Sequence, residues 1–416
     1  MLRAGLAAVL FAAAPSIPAG AQEPSPEEPR GLELDVVEDT LENGLRVLVL
    51  RRPGTPTASF VLRFDVGSVN ERLGETGIAH FLEHLLFKGT TTIGAEDLRR
   101  ERRLFVTMDA AHDSLLWARA ARDTAEEGRL SARIRALEDD ARELIRPNEF
   151  DRLFTEAGAR DMNASTTYES TTYYVQLPAN RAELFFVMEA DRMANPVFRE
   201  FHAERDVVAE ERRSRMETTG GGRLVEEFYA AAYRVHPYGV PVIGHMSDIR
   251  RYTRAQVADY HRRFYGPNNA VLAVVGDVDP GQVLRWARKY FGPIPPGETP
   301  APVLVEEPDQ TGERRIEVSF EAEPELLIGW RVPGGFHDDA PALSVLARIL
   351  AGGKTGRLYR RLVDEHLATS VTASIGPAID GPQLFMIGAQ PMRGHSPAAL
   401  EAAIYEEVER LRTEPP

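Results

Sequence analysis

The sequence contains no cysteine, so its stability has to come from a packed core or from metal binding, without disulfides. It also lacks a surplus of positive charge, because 49 Lys and Arg residues stand against 63 Asp and Glu residues, a net charge of −14. That balance argues against nucleic acid or an anionic membrane as the main partner. Beyond the N terminus no segment approaches 18 consecutive apolar residues, and we therefore expect no membrane span.

The remaining composition is that of a folded protein. Hydrophobic residues make up 43% of the chain and aromatic residues 8%, which is enough to build packed cores and argues against wholesale disorder. At 416 residues the chain is too long for one ordinary domain, and we expect two.

The N terminus is typical of a signal peptide. Arg3 supplies the positive charge, residues 4–14 are an apolar stretch too short to span a bilayer, and Ala19-Gly20-Ala21 fits a cleavage site. We therefore predict a signal peptide over 1–21 and an exported protein, periplasmic or extracellular. The alternative is a disordered, alanine-rich start. A Pro/Glu-rich segment over 22–32 is predicted to be a mobile leader.

The rest of the chain divides at a Pro-rich linker, predicted over 286–308. The first domain, 33–285, begins with strand-like alternation. It contains a segment over 98–147 that is rich in Ala, Arg, Glu and Leu, with Gly128 near its middle. This segment predicts a helical hairpin on the surface. It is either a plain insertion or an arm that docks a partner.

The second domain, 309–416, repeats the first. The segment IEVSFEAEPELLIGWRVPGG resembles the opening pair of strands, and SVLARILAGG (344–353) aligns without gaps on HFLEHLLFKG (80–89). In that register Ser344, Ala347 and Arg348 replace two histidines and a glutamate. Only 63 residues follow Gly353, far fewer than in the first half, so the chain is expected to end inside its second domain.

The run GIAHFLEHLLFKGT predicts a metal site. Residues four apart lie on the same face of a helix, so His80 and His84 can reach one ion. Glu83 lies beside that face, where it can accept a proton from a metal-activated water. The alternative is a pair of histidines satisfied in a core, but an otherwise apolar helix has no structural use for three ionisable residues.

Two histidines leave zinc short of protein ligands, and the predicted helix FHAERDVVAEERRSRME offers several glutamates. Glu204 and Glu211 are seven residues apart and share a stripe with Val207 and Val208. A carboxylate on an apolar stripe has to be paired or metal-bound. This selects Glu204 and Glu211 together, whereas Glu210 and Glu217 suit an exposed acidic face.

The motifs HFLEH, NASTTYESTTYY and FHAERDVVAEER together resemble the pitrilysin/insulinase family, especially its two-domain members similar to processing peptidases. The resemblance extends from about residue 34 to 374, except for the insertion. It implies an α+β protein of two homologous α/β-sandwich domains, each a mixed sheet with helices packed on one face. The second of these domains is expected to be incomplete.

The resemblance also implies roles for individual residues. His80, His84 and Glu211 would bind one Zn²⁺ per chain, Glu83 would be the general base, and Glu204 would support the site without binding the ion.

For substrate binding, the resemblance implies that a peptide lies along an edge strand at Asn163 and Ala164, by main-chain hydrogen bonding. Phe81 would line a substrate pocket or, alternatively, belong to the core.

One departure from the family pattern concerns the oxyanion. Active members carry an Arg and a Tyr seven residues apart in the second domain, which stabilise the tetrahedral oxyanion. The stretch RLYRRLVDEHLATSVTAS is one residue shorter than this pattern, and Val363 and Thr369 fall where the Arg and Tyr would be expected. We therefore expect a homodimer, or a heterodimer with a homologous chain that carries the Arg and Tyr.

The sequence thus predicts a zinc endopeptidase that cleaves peptides or small unfolded proteins, as the zinc-bearing subunit of a two-chain assembly. A non-catalytic scaffold subunit is one alternative, although such subunits have generally lost the zinc ligands. A maturation protease dedicated to one peptide is the other.

Overall fold

The structure is a computed structural model and describes residues 34–414. The predicted signal peptide (1–21) and leader (22–32) lie outside the described residues.

A six-stranded mixed sheet forms the centre of the first half. Its order is β1-β2-β6-β3-β5-β4, with β2 and β6 parallel and every other pair antiparallel. The strands are β1 (Val36–Thr40), β2 (Arg46–Arg51), β3 (Thr57–Phe64), β4 (Arg160–Thr166), β5 (Thr171–Pro178) and β6 (Ala270–Gly276).

The helices of the first half pack on this sheet or on one another. They are α1 (Ile78–Leu85), α2 (Leu98–Ala120), α3 (Thr124–Arg142), α4 (Glu149–Glu156), α5 (Ala182–Ala194), α6 (Phe201–Arg212), α7 (Gly220–Ala232), α8 (Met246–Ile249), α9 (Arg254–Phe264) and α10 (Pro280–Tyr290). Alternate residues of β3 are buried, as expected for a strand with one covered face. Phe60 of β3 stacks on Phe185 of α5, with ring centroids 4.6 Å apart. The predicted mixed sheet with helices on one face is confirmed.

The segment predicted as a helical hairpin contains α2 and α3. The chain reverses at residues 121–123, and Gly128 lies inside α3. The turn forms there because Arg122 adopts a left-handed conformation (φ 56°) and the Asp123 carboxylate accepts the Glu126 N–H, which caps α3. A capping aspartate thus determines where the hairpin turns.

The hairpin packs against the helix that carries the predicted glutamates. The buried imidazoles of His112 in α2 and His202 in α6 stack with ring centroids 3.4 Å apart. The Asp109 carboxylate lies 2.9 Å from His202 Nε2 and also accepts from Arg254 of α9. The hairpin is therefore anchored to α6 and α9 by stacked rings and a shared carboxylate.

The second half has a smaller sheet. Its three antiparallel strands, in the order β7-β9-β8, are β7 (Leu326–Val332), β8 (Ala368–Gly376) and β9 (Gln383–Pro391). Two helices accompany them, α11 (Ala340–Ala351) and α12 (Pro397–Arg410). A separate cluster of buried side chains, including Leu350, Phe385 and Ile404, forms the core of this half.

One local expectation for the second half was wrong. Residues 316–320, predicted as the first of a pair of strands, have no regular structure and are largely exposed, because no neighbouring strand pairs with them. The predicted linker also overlaps a helix, because α10 continues to Tyr290, where Ala287 and Phe291 are fully buried in the first core.

The two halves contact each other through polar groups and through a buried cluster that includes Tyr168, Tyr238 and Leu384. Glu169, in the turn between β4 and β5, accepts hydrogen bonds from the backbone N–H groups of Ile379 (2.9 Å) and Asp380 (2.7 Å). Tyr233 donates to the carbonyl of Pro382 (2.8 Å). The turn that follows the β4 edge strand is thus fastened to the loop between β8 and β9.

Candidate metal centre

Helix α1 is buried and held firmly at its N terminus. The Glu71 carboxyl group accepts the backbone N–H groups of Gly77 (2.7 Å) and Ala79 (2.9 Å), which no helical carbonyl can satisfy. Burial raises the pKa of Glu71 to about 8, against these two hydrogen bonds, which lower it. Gly77 has a φ of 89°, and a Cβ there would lie 2.3 Å from the carbonyl oxygen of Ile243. The start of the helix therefore requires glycine.

His80, His84 and Glu211 converge, as the sequence predicts. His80 Nε2 lies 3.8 Å from Glu211 Oε1, and His84 Nε2 lies 3.5 Å from Glu211 Oε2. Their three ligand atoms are within 4.8 Å of one another, and no other group of His, Asp and Glu residues within 34–414 is arranged in this way.

This donor set fits zinc. Ligand atoms at about 2.0–2.2 Å from a tetrahedral zinc ion are roughly 3.4 Å apart, close to the separations between Glu211 and the two imidazoles. Two imidazole nitrogens and one carboxylate oxygen are also the ligands of a catalytic zinc site, which leaves the fourth position open.

The two imidazoles differ electrostatically. Burial and the neighbouring His84 lower the pKa of His80 to about 4, so its ring is neutral near pH 7 and can offer a lone pair. Burial alone would lower the pKa of His84, but hydrogen bonds with Glu204 and Glu211 outweigh it and raise that pKa to about 9. A metal ion at this site therefore competes with a proton at His84.

Glu204 lies behind His84, away from Glu211. Its Oε2 atom is 3.4 Å from His84 Nδ1, on the side of the ring opposite to the nitrogen that faces Glu211. Glu204 therefore contacts one ligand, His84, from behind and is not itself a member of the ligand cluster. This position matches the supporting role that the family resemblance implies.

The apolar stripe of α6 differs in one residue from the predicted one. Val208 is fully buried, but Val207 is 49% exposed and lies off the stripe that Glu204 and Glu211 share. Glu210 points to solvent, where it forms an ion pair with Arg213. The selection of Glu204 and Glu211 over Glu210 is consistent with this geometry.

Glu83 lies beside the ligand cluster and is almost fully buried, with 9% of its surface exposed. It accepts a hydrogen bond of 2.5 Å from Thr166 Oγ1 at the end of β4. Burial raises the pKa of Glu83 above its ordinary value, although the hydrogen bond from Thr166 acts against this. A carboxylate with a raised pKa is a better proton acceptor near neutral pH.

Asn163 and Ala164 lie on an edge strand, because β4 pairs only with β5 among the described strands. Asn163 is exposed, and its side-chain oxygen accepts the backbone N–H of Ala164 at 2.9 Å. A side chain of the same strand thus already accepts this backbone N–H. The same strand ends at Thr166, next to Glu83, so a free strand edge runs up to the candidate base.

Phe81 does not line a pocket. Its side chain is fully buried, between Phe201 (ring centroids 5.1 Å apart) and Tyr252 (5.2 Å). Because it has no exposed surface, no substrate can lie against it. The prediction of a substrate-pocket role is therefore wrong, and the core alternative describes Phe81.

Three residues at the site were not singled out in the sequence. Thr166 contacts Glu83, Lys88 contacts Glu204 (2.6 Å), and Arg215 contacts Glu211 (2.7 Å). Lys88 stands four residues after His84, but α1 ends at Leu85, so helical spacing carried only a weak signal for it. Thr166 had none, since it is 83 residues from its partner.

The stretch expected to supply an Arg and a Tyr lies in the second half. Val363 belongs to a π-helical turn (Tyr359–Asp364), and Thr369 is an exposed residue of β8. The nearby Arg357 is paired with Glu407, and Arg361 with Glu365 at 2.6 Å. Both guanidinium groups are thus engaged by carboxylates of their own half.

Comparisons with known proteins agree with this geometry. The family profile described as "Insulinase (Peptidase family M16)" matches residues 46–104 and 145–245, and "Peptidase M16 inactive domain" matches residues 251–416. The gap in the first match, 105–144, lies in the α2–α3 hairpin. The first profile therefore covers the three residues of the ligand cluster, and the second extends from residue 251 through the second half.

Individual proteins show the same likeness. The chain is 29% identical over 381 residues to a protein of Helicobacter pylori named zinc protease PqqE, covering 90% of this chain and 74% of that protein. It is 30% identical over 378 residues to an uncharacterized zinc protease of Mycobacterium tuberculosis, with coverages of 89% and 74%. The crystal structure of a protease from Helicobacter pylori superposes with a TM-score of 0.76 and 28% identity, over 92% of this chain and 81% of that one.

Among residues 34–414, no helix is both long and apolar enough to cross a membrane. The relatives are named zinc proteases, and the fold is that of the M16 peptidases. The sequence matches, the superposition and the ligand geometry agree, and the chain belongs to the peptidase M16, or insulinase, family.

Proposed function

We propose that this protein is a zinc-dependent endopeptidase that cleaves peptides or small unfolded proteins. The observation on which this rests is the convergence of His80, His84 and Glu211, with Glu83 buried beside them. One zinc ion per chain would be held by the three ligands. When bound there, zinc supplies the Lewis acidity that lowers the pKa of water from about 15.7 to about 7.

The protein's own residues supply the rest of the chemistry. Glu83 accepts the proton of the attacking water, for which its raised pKa suits it, and can return that proton to the leaving amine. Thr166 holds the carboxylate in place through its hydrogen bond. A peptide would add to the free edge of β4 at Asn163 and Ala164, where main-chain hydrogen bonds give affinity without demanding one sequence.

The oxyanion would be stabilised by a second chain. Val363 and Thr369 stand where the family resemblance places the Arg and Tyr, and the nearby Arg357 and Arg361 are already paired with carboxylates. Removing one oxyanion donor from a hydrolase costs about 10²–10³ in kcat, so a chain without the pair is expected to be slow on its own. The protein is therefore proposed to be the zinc-bearing subunit of a dimer, with a homologous chain that carries Arg and Tyr but no HxxEH motif.

The test is an assay on a quenched peptide with the purified chain, alone and co-expressed with such a homologue. We expect strong cleavage only from the pair, and about 10²–10⁴-fold less when the zinc-bearing chain has Glu83→Gln. Full activity from the single chain would exclude the two-chain proposal. No activity in either form, with zinc bound, would exclude the peptidase.

Export is proposed on the sequence of residues 1–21, which is typical of a signal peptide. The proposal predicts a mature chain that begins near Gln22 in a periplasmic or culture-medium fraction. Recovery of the chain with Met1 intact from the cytoplasm would contradict it.

A further inference from the structure

Lys88 lies where the chain leaves helix α1, at the back of the candidate zinc site. Its ammonium group is 2.6 Å from Glu204 Oε1 and 3.0 Å from Glu200 Oε2, and 21% of its side chain is exposed. The ion pairs with Glu204 and Glu200 raise the pKa of Lys88, although its burial opposes this, so the group stays charged. A charged lysine is thus held between Glu204 of α6 and Glu200, the residue that precedes this helix.

The two oxygens of Glu204 have separate partners. Oε1 contacts Lys88 at 2.6 Å, whereas Oε2 contacts His84 Nδ1 at 3.4 Å, beyond the usual range of 2.7–3.2 Å for an N–H···O bond. The short, charge-assisted contact with Lys88 is therefore the stronger of the two. It fixes the plane of the carboxylate, and this plane determines whether Oε2 faces the imidazole.

The main chain of Lys88 is itself fixed. Its carbonyl oxygen accepts a hydrogen bond from Arg199 Nη1 at 3.2 Å, and Arg199 is buried in an ion pair with Glu101. The next residue, Gly89, has a φ of 95°, and a Cβ there would lie 2.4 Å from the carbonyl of Ile93. The Lys88 side chain therefore extends from a main chain that is held in place on both sides.

Of the two imidazoles, only His84 is contacted from behind by a carboxylate in the described part of the chain. His80 Nδ1 is buried and has no hydrogen-bond partner among residues 34–414, so no side chain in this part orients His80 from behind. The rear nitrogen of His84, in contrast, faces Glu204. A carboxylate behind a metal-binding histidine fixes its tautomer and ring orientation, and loss of such a partner typically costs 10–100-fold in metal affinity.

We propose that Lys88 is a positioning residue for the zinc site, which acts through Glu204 on His84. The inference rests on the proposed zinc function and deepens it. Lys88 holds Glu204 so that His84 keeps its proton on Nδ1 and presents Nε2 to the ion. It touches neither the ion nor the substrate.

The test measures zinc affinity by competition with a chromophoric chelator, on the full chain. Lys88→Met is expected to weaken binding about tenfold. Lys88→Arg, which keeps the charge and the donors, is expected to restore most of it. Glu200→Gln is the matched control, since it removes the other acid and leaves the contact between Lys88 and Glu204; its affinity should equal that of the unaltered chain. The cobalt(II) absorption spectrum provides a second readout, because it reports the ligand geometry directly.

A double-mutant cycle separates positioning from a general link between α1 and α6. In a Glu204→Gln background, Lys88→Met should have no further effect on zinc affinity, because the group through which Lys88 acts is already neutral. This comparison also holds if Lys88→Met lowers the melting temperature.

Two results would overturn the proposal: unchanged affinity in Lys88→Met, or an equal loss in Lys88→Met and Glu200→Gln. If the unaltered chain binds no zinc, the proposed function itself fails, which is a distinguishable outcome.

Discussion

Helices α1 and α11 align residue for residue in sequence but lie in different surroundings. Six of the eight residues of α1 are buried, whereas only Leu350 is buried in α11. In α11, Ser344 occupies the position of His80 and merely donates to the carbonyl of Ala340 within its own helix. α1 therefore differs from α11 in its surroundings as well as in its motif, since α1 has a cap, a second helix with carboxylates, and a strand end beside it.

The largest difference between the two helices is chemical, because Ala347 of α11 stands where α1 has Glu83. Glu83→Gln keeps the shape of the side chain but removes the proton acceptor. We expect peptidase activity, in whichever assembly shows it, to fall about 10²–10⁴-fold. Zinc content should not change, because Glu83 is not a ligand. Activity within a few-fold of the unaltered protein would show that the base lies elsewhere.

The N-terminal caps of the two helices also differ. Glu71 satisfies two backbone N–H groups of α1, whereas Asp339 before α11 makes no capping hydrogen bond. Glu71→Ala is therefore expected to lower the free energy of unfolding by about 1–3 kcal/mol. Asp339→Ala, the matched control, should change it by less than about 0.5 kcal/mol. Chemical denaturation of both variants checks this, and equal effects would refute the distinction.

Thr166, at the end of the strand next to α1, is expected to make a smaller contribution to activity. Thr166→Val removes the hydroxyl that holds Glu83 and leaves the side-chain volume nearly unchanged. A hydrogen bond to a charged group contributes about 1.5–3 kcal/mol, and part of it persists through water, so we expect kcat to fall roughly tenfold. Thr166→Ser keeps the hydroxyl and should retain activity. If Thr166→Ser lost as much as Thr166→Val, the methyl group and not the hydrogen bond would be responsible.

The smallest expected effect is on zinc content, when the motif of α1 is copied into α11. Replacing Ser344, Ala347 and Arg348 by His, Glu and His would give α11 the residues of α1. We expect the metal content to stay at one zinc per chain, because two imidazoles without a third protein ligand hold zinc weakly. Elemental analysis after dialysis measures this. Two zinc ions per chain would show that the motif alone is sufficient.

The comparison also explains what the sequence could predict. Helix spacing predicted His80 and His84 as ligands and selected Glu204 and Glu211 together, because positions four apart on α1 and seven apart on α6 share a face. The choice of Glu211 as the third ligand came from the family resemblance. Neither Glu71 nor Thr166 could be found in this way. Thr166 reaches Glu83 only through the path of β4, and Glu71 reaches α1 through an irregular loop.

The substrate-pocket prediction for Phe81 was wrong for a related reason. A helix pattern shows which residues share a face, but not which neighbours cover that face. Phe201 and Tyr252, distant in sequence, enclose its ring. The strand predicted at residues 316–320 was wrong for a similar reason. Alternation predicts a strand, but it does not show whether a neighbouring strand is present to pair with it.

The central claim is that α1 and α6 together bind one zinc ion through His80, His84 and Glu211. The most direct test is the zinc content of the unaltered chain, of Glu211→Ala and of Glu210→Ala, whose side chain is exposed and paired with Arg213. We predict one zinc per chain in the unaltered protein and in Glu210→Ala, and its loss in Glu211→Ala. Full zinc content in Glu211→Ala, or none in the unaltered chain, would contradict the account.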